Sequence, residues 1–171
     1  AMRRHVEREL ARARRLGRGA GERAAPRRVA EQVAGVLGRT AAGARLRWEV
    51  AGPPALAAIH ADDLAEALGA LLENAARFAR TRVRVEVREE GEALLVAVVD
   101  DGPGLAASDH AEALRRGGRL DEAGSGSGLG LAIAREVAEE VGGALRLGPT
   151  APGAMTVSLL LPAAGQGPAA P

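Results

Sequence analysis

Residues 81–104, TRVRVEVREEGEALLVAVVDDGPG, decide how this chain folds. Over Thr81–Arg88 the apolar residues Val83, Val85 and Val87 alternate with arginines, the period of two that marks a half-buried strand. Leu94–Val99 is apolar throughout, which predicts a second strand. Glu89-Glu90-Gly91-Glu92 between them reads as a hairpin turn. The second strand then ends at Asp100, in a tight Gly-Pro-Gly bend running to Gly104.

Upstream, a long helix is predicted from about Asp62, whose carboxylate suits an N-cap. Leu64, Leu68, Leu71, Leu72, Ala75 and Phe78 form its core stripe. Before it, 44–50 (ARLRWEV) alternates as a strand closed by Gly52-Pro53-Pro54. Pro26 opens an earlier helix with Val29, Val33, Val36 and Leu37 as its buried face. Residues 2–16 are helical in composition, with Val6, Leu10 and Ala13 as one narrow stripe, and Gly17–Gly21 breaks the pattern as a linker. Downstream, a short helical piece over Ala106–Arg116 leads through an Arg-Gly-Gly-Arg stretch into GSGSGLG. A helix from about Gly128 to Val141 follows, with Leu129, Ile133, Val137 and Val141 as its ridge. Strands at Ala144–Leu147 and Ala154–Leu161 close the domain, and the GQGPAAP tail reads as disordered. Adjacent strands with long helices indicate an α/β (α+β) sandwich, helices covering one face of a sheet.

The chain of 171 residues fits one domain with short extensions. At 47% hydrophobic it can bury a core, and with Trp48 and Phe78 as its only aromatics that core must be Leu, Val and Ala. Stacking platforms for bases are therefore poorly supplied. The absence of cysteine excludes disulfides and thiolate metal sites and fits a reducing compartment. No apolar run reaches membrane-spanning length, and Ala1-Met2 looks like the junction of an excised fragment. The net charge of +1 hides an asymmetry: residues 1–28 carry ten arginines against three glutamates, a local +7, leaving −6 elsewhere. A basic arm of this kind suits nucleic acid or anionic lipid. All 23 basic residues are arginine, however, and no groove-reading motif accompanies them, which favours a solvated helix.

Three segments carry candidate chemistry. Glu73-Asn74 lies on the long helix, with Arg77 one turn on; Asn74, the only asparagine, borders the apolar stripe, where its carbonyl oxygen can bind a hard cation. Alone it reads equally well as a surface residue. Asp100-Asp101-Gly102-Pro103-Gly104 places an acceptor for an exocyclic amine at the sheet's rim, with glycines that let a ligand near the backbone. Asp-Gly and Pro-Gly also form ordinary turns. Gly126-Ser127-Gly128-Leu129-Gly130 runs into a helix start, where free N–H groups make an anion site. The same letters describe a flexible linker, but this run enters an amphipathic helix ahead of the last two strands. A polar loop before the glycines excludes a Rossmann fingerprint, and no Gly-Lys-Ser/Thr exists for a P-loop.

In this order the three segments resemble the nucleotide-binding boxes of the GHKL family of gyrase, heat-shock chaperone, histidine kinase and mismatch-repair ATPases. LLENAARF (71–78) is similar to its N box, DDGPG (100–104) to its G1 box, and GSGLGLAIA (126–134) to its G2 box. The short loop RRGGRLDE (115–122) resembles a histidine-kinase ATP lid, and HVERELARARR the last turns of a dimerisation helix. The resemblance implies a Bergerat-type fold, a mixed sheet covered on one face by about three helices, over 26–162. Residues 1–16 would be the end of a dimerisation helix, 17–25 a linker and 163–171 a disordered tail. It implies ATP and Mg²⁺ as ligands, with Asn74 on the metal and Arg77 near the phosphates. Phe78 would line the pocket, and Asp100 would accept from the adenine amino group beside Gly102 and Gly104. Gly126, Ser127, Gly128, Leu129 and Gly130 would shape the phosphate end, and Arg115, Arg116 or Arg119 would neutralise charge on the γ-phosphate.

The sequence departs from the family in two places. The family usually has Asn or Glu four residues before the key Asn; here that position is Ala70, so no acid is available there to activate water. The H box, a His followed by an acid with Pro five residues on, is absent: His5, His60 and His110 all lack that context and are expected to face solvent. The expected partners are a dimerisation and phosphoacceptor domain, forming a homodimer, and a response regulator. No nucleic acid is expected, and any membrane attachment would come through a sensor region elsewhere, making this the cytoplasmic domain of an inner-membrane sensor. A degenerate nucleotide-sensing module and an anti-sigma-factor serine kinase are the rival readings.

Overall fold

The computed structural model describes residues 22–111, 130–148 and 154–165. Among these, helix α1 spans Pro26–Leu37, α2 Ala61–Phe78 and α3 Gly130–Glu140. Strands β1 (Arg47–Ala51), β2 (Arg82–Glu90), β3 (Ala93–Asp100), β4 (Ala144–Leu147) and β5 (Met155–Pro162) form one sheet in the order β1-β2-β3-β5-β4. β1 runs parallel to β2 and every other pair is antiparallel, so the sheet is mixed, as expected.

The hairpin of residues 81–104 is its centre. Glu90 pairs with Ala93, leaving a two-residue turn in which Gly91 takes φ 61 and Glu92 does not, the pattern of a type II′ turn. At the turn the first strand runs two residues past the predicted Arg88 and the second begins one residue before the predicted Leu94, because this turn lets the ladder continue to its last rung. Val83, Val85 and Val87 are buried, and Leu94, Val96 and Val98 join them on the same face. Trp48 and Val50 pair with Val83 and Val85, so they share that side. All three helices pack there, α2 and α3 against each other and α1 against α2. The opposite face carries Arg84, Glu86 and Arg88, where Glu86 pairs with both arginines across solvent-exposed surface. Such pairs contribute little.

Several expectations are corrected. α2 is capped by His60, not Asp62: the His60 Nδ1 accepts from the Asp62 N–H at 3.0 Å, and Asp62 lies in the first turn. His60 is therefore half-buried and not solvent-facing, and His110 is also half-buried, its Nε2 3.2 Å from the Leu105 carbonyl. In α1, Val36 is 59% exposed, and Ala30 and Ala34 join Val29 inside. Phe78 is 38% exposed because α2 ends there and its ring projects past the core. In α3 the buried line is Leu131, Ala134, Val137 and Ala138, with Ile133 and Val141 half-buried and Leu129 outside the described residues. The first strand is Arg47–Ala51, shifted from 44–50 because 41–45 form a turn. At the far end of the sheet Ala24 bridges Ala57, which bridges Ala163, so hydrogen-bonded structure extends beyond 26–162 at both ends.

Candidate functional site

Period-two alternation carries Asp100 inside. Leu94, Val96, Val98 and Asp100 point to the helix-covered face, and Asp100, at 5% exposure, is the only buried carboxylate among the described residues. Burial raises its pKa above the ordinary carboxylate range; the Gly102 N–H, 2.8 Å from Oδ1, opposes that shift and the neighbouring Asp101 charge adds to it. A buried acceptor with one protein donor has capacity left for a ligand donor.

Asp101, one residue on, points the other way and its pKa is shifted in the opposite direction. Partial desolvation pushes its pKa up, but the Thr81 hydroxyl and the backbone N–H groups of Thr81, Arg82 and Arg80 outweigh it and hold the carboxyl well below the usual range. It ties the end of β3 to the corner between α2 and β2.

The glycines are where the motif elements touch. A Cβ on Gly102 would lie 2.6 Å from both the Phe78 carbonyl oxygen and Asp100 Oδ1, so only hydrogen fits between the end of α2 and the end of β3. Gly104 adopts φ 73, a conformation that favours glycine. A Cβ on Gly130 would lie 2.9 Å from the Ala70 carbonyl oxygen, so α3 begins directly against α2 at Ala70. Ala70, Asn74 and Phe78 follow at i, i+4 and i+8 along α2, ~6 Å apart per step. Gly130 thus meets one end of this line, Gly102 and Asp100 meet the other, and half-buried Asn74 lies between. Arg77 places its guanidinium 5.2 Å from the centre of the Phe78 ring, a cation–π contact.

Of the predicted site residues, the structure links Arg77 to Phe78, Phe78 to Gly102 and Gly102 to Asp100, and sets Gly130 against α2 at Ala70, one turn from Asn74; Gly104 follows two residues after Gly102. Arg115, Arg116, Arg119, Gly126, Ser127, Gly128 and Leu129 lie outside the described residues. Among the described residues no group of three or more His, Asp or Glu is placed to hold a metal, so any cation here needs ligand oxygens besides Asn74. Sequence reasoning missed Arg45. Its Nη1 donates to the carbonyls of Ala79 and Arg80 and its Nη2 to that of Ala76, at 3.1–3.2 Å, capping the C-terminus of α2. Nothing local in the sequence marks it, since its partners are 31–35 residues away. A groove of about 870 Å³ lies at the hairpin end of the sheet, between Pro53-Pro54 and Pro162, and contains none of the motif residues.

A helical layer on a mixed sheet, a buried strand-end carboxylate, and glycines that meet α2 at its middle and at its C-terminal end make up the architecture of a nucleotide-binding domain of the GHKL type. The comparisons agree. Residues 59–165 match the family model described as "Histidine kinase-, DNA gyrase B-, and HSP90-like ATPase", and the chain belongs to that family. It is 41% identical over 128 residues to the sensor protein kinase CarS of Pseudomonas aeruginosa, covering 75% of this chain and 26% of CarS. It is 37% identical over 87 residues to the sensor protein PhoQ of Escherichia coli, covering 51% of this chain and 18% of PhoQ. The chain therefore spans about a quarter or less of these relatives. The structure of a mycobacterial sensor histidine kinase, MprB, superposes with a TM-score of 0.72 at 26% identity, over 83% of this chain and 97% of that one. The domain is of the sensor-histidine-kinase type within the family.

Proposed function

We propose that this domain binds ATP with Mg²⁺ and presents the γ-phosphoryl to a histidine on a dimerisation domain, for relay to a response regulator. The observation that supports the reading is the line along α2: the buried Asp100 carboxylate beside Phe78 at its C-terminal end, the half-buried Asn74 amide one turn back, and the glycine-bounded start of α3 at Ala70. That is the order of base, metal and phosphates in a bound nucleotide. Asp100 accepts from the adenine amino group, while Gly102 and Gly104 admit the ring close to the backbone. Asn74 fits Mg²⁺ as a single oxygen ligand, since this ion is held by one or two side chains plus phosphate oxygens and water. The ion supplies neutralisation of phosphate charge. Arg77 adds a cation at the same stretch of α2, and the lid arginines Arg115, Arg116 and Arg119 supply charge to the γ-phosphate.

Transfer forms a bond between a histidine nitrogen and the γ-phosphorus as the bridging P–O bond to the β-phosphate breaks. ADP leaves with the electron pair, and the histidine's proton passes to an acid beside it on the dimerisation domain. Positioning and electrostatics dominate such chemistry. Ala70 supports a second reading, a module that senses nucleotide without transferring it, because it offers no carboxylate or amide at that turn of α2.

The experiment is to mix the 171-residue chain with γ-labelled ATP, Mg²⁺ and the phosphoacceptor domain of CarS. The expected result is acid-labile phosphate on the added domain and none on this chain. Acid-labile label on the chain alone contradicts the proposal, and binding without transfer favours the sensing module.

A further inference from the structure

The corner between α2 and β2, residues 76–82, is gripped from two sides by side chains that belong to neither element. From one side the Arg45 guanidinium donates to the carbonyls of Ala76, Ala79 and Arg80. From the other, the Asp101 carboxylate accepts from the N–H groups of Arg80, Thr81 and Arg82 at 2.8–3.1 Å and from the Thr81 hydroxyl. The Arg47 N–H donates to the Thr81 carbonyl and the Asp101 N–H to that of Arg82, so the backbone of the corner is bonded on both flanks.

We propose that Arg45 and Asp101 are positioning residues, a two-sided clamp that sets the spacing between the C-terminal turn of α2 and the end of β3 and thereby places Asp100 for a purine amine. This rests on the nucleotide reading above. The clamp spans the site's tightest contact. Phe78, within the gripped turn, presses its carbonyl on Gly102, and Gly102 donates to Asp100 Oδ1. Asp101 lies between Asp100 and Gly102 in the chain, so releasing its carboxylate frees the residues on both sides of it. Releasing Arg45 uncaps the turn that carries Arg77 and Phe78. Both grips are charge-assisted and multidentate, which gives geometric definition beyond their number. The fork of Arg45 reaches three carbonyls, and a lysine's single point of donation cannot.

The test compares the full chain with Arg45→Ala, Arg45→Lys, Asp101→Ala and Asp101→Asn. Each is checked for fold by circular dichroism and titrated calorimetrically with Mg-ATP and Mg-ITP, which differ at the purine 6-position. Arg45→Ala and Asp101→Ala are expected to weaken ATP binding roughly tenfold and to shrink the ATP/ITP preference, with Lys and Asn intermediate. A ratio of affinities measured on folded protein does not move for a role in stability alone. Variants that melt earlier yet keep wild-type ATP affinity and preference overturn the clamp. If Asp101→Ala does not fold, the Arg45→Ala and Arg45→Lys pair decides by the same criterion. Wild-type protein that binds neither nucleotide overturns the nucleotide reading and the clamp with it, whereas binding with unmoved preference overturns the clamp alone.

Discussion

Replacing Gly102 with alanine puts one methyl group into the tightest point of the site. The new carbon would lie 2.6 Å from the Phe78 carbonyl oxygen and 2.6 Å from Asp100 Oδ1, where real contacts need more than 3 Å. Neither neighbour yields cheaply. Phe78 is the last residue of α2, held by the Arg45 cap, and Asp100 is the last residue of a strand paired on both sides. Overpacking of this kind costs about 1–3 kcal/mol. In a domain of this size that lowers Tm by roughly 3–10 °C. The effect on ligand is larger, because Asp100 is the group displaced. Losing a hydrogen bond to a charged group costs about 1.5–3 kcal/mol, or ~10- to 150-fold in affinity. The assay is thermal melting of the ligand-free chain together with Mg-ATP titration at room temperature. Unchanged Tm and unchanged affinity in Gly102→Ala would refute both the packing argument and the assignment of Asp100.

Gly35→Ala and Gly69→Ala serve as counter-tests: both lie inside helices with nothing near the added carbon, so each should stabilise by about 0.5–1 kcal/mol on melting. Gly130→Ala should lower Tm by several degrees, since its methyl would stand 2.9 Å from the Ala70 carbonyl and force α3 away from α2. His60→Ala removes the N-cap of α2 and should cost about 1 kcal/mol in urea unfolding, whereas Asp62→Ala should leave that cap intact. Asp100 is an acid whose pKa is raised by folding, so its burial costs stability once pH exceeds the folded pKa and costs none below the unfolded value near 3.8. Asp100→Asn should therefore melt higher than wild type at neutral pH, with the gain vanishing as pH falls toward 3.8; a gain independent of pH would contradict this. Asp101 behaves oppositely: its contribution is present above pH 3.8 and is lost as pH falls toward its depressed folded value, so the Tm gap between wild type and Asp101→Asn should narrow in acid.

Much of this domain is legible locally because its elements are strongly periodic. Val83, Val85 and Val87 announce a strand by their alternation, whereas Leu94–Val99 is apolar throughout, so the phase that puts Asp100 on the buried face is set by its pairing with Val83. The glycines of the motifs are informative because each stands at a backbone contact that a methyl would block, as at Gly102 and Gly130. What failed was what depends on distant partners. The burial of Ala30 and Ala34 in place of Val36 depends on which side of α1 meets its tertiary partners, which no window of sequence contains. His60 displaced Asp62 as the cap because the helix begins two residues earlier than an Asp62 cap implies. Arg45 is one arginine among 23 until the fold brings the end of α2 to it. Asp101 carried a faint mark, an acid one step out of phase with the buried face and opposite the start of β2, but the three N–H groups it accepts from are 19–21 residues away.

The central claim is that Asp100 reads a purine amine, and exchanging acceptor for donor tests it most directly. Asp100→Asn keeps the shape of the side chain and adds an N–H₂ donor that suits the 6-oxo group of inosine. Calorimetric titration of wild type and Asp100→Asn with Mg-ATP and Mg-ITP yields four affinities. Wild type is expected to prefer ATP by about tenfold, and the variant to lose or reverse that preference while retaining affinity for ITP. Equal preference for ATP in both proteins would show that Asp100 does not contact the base and would contradict the claim.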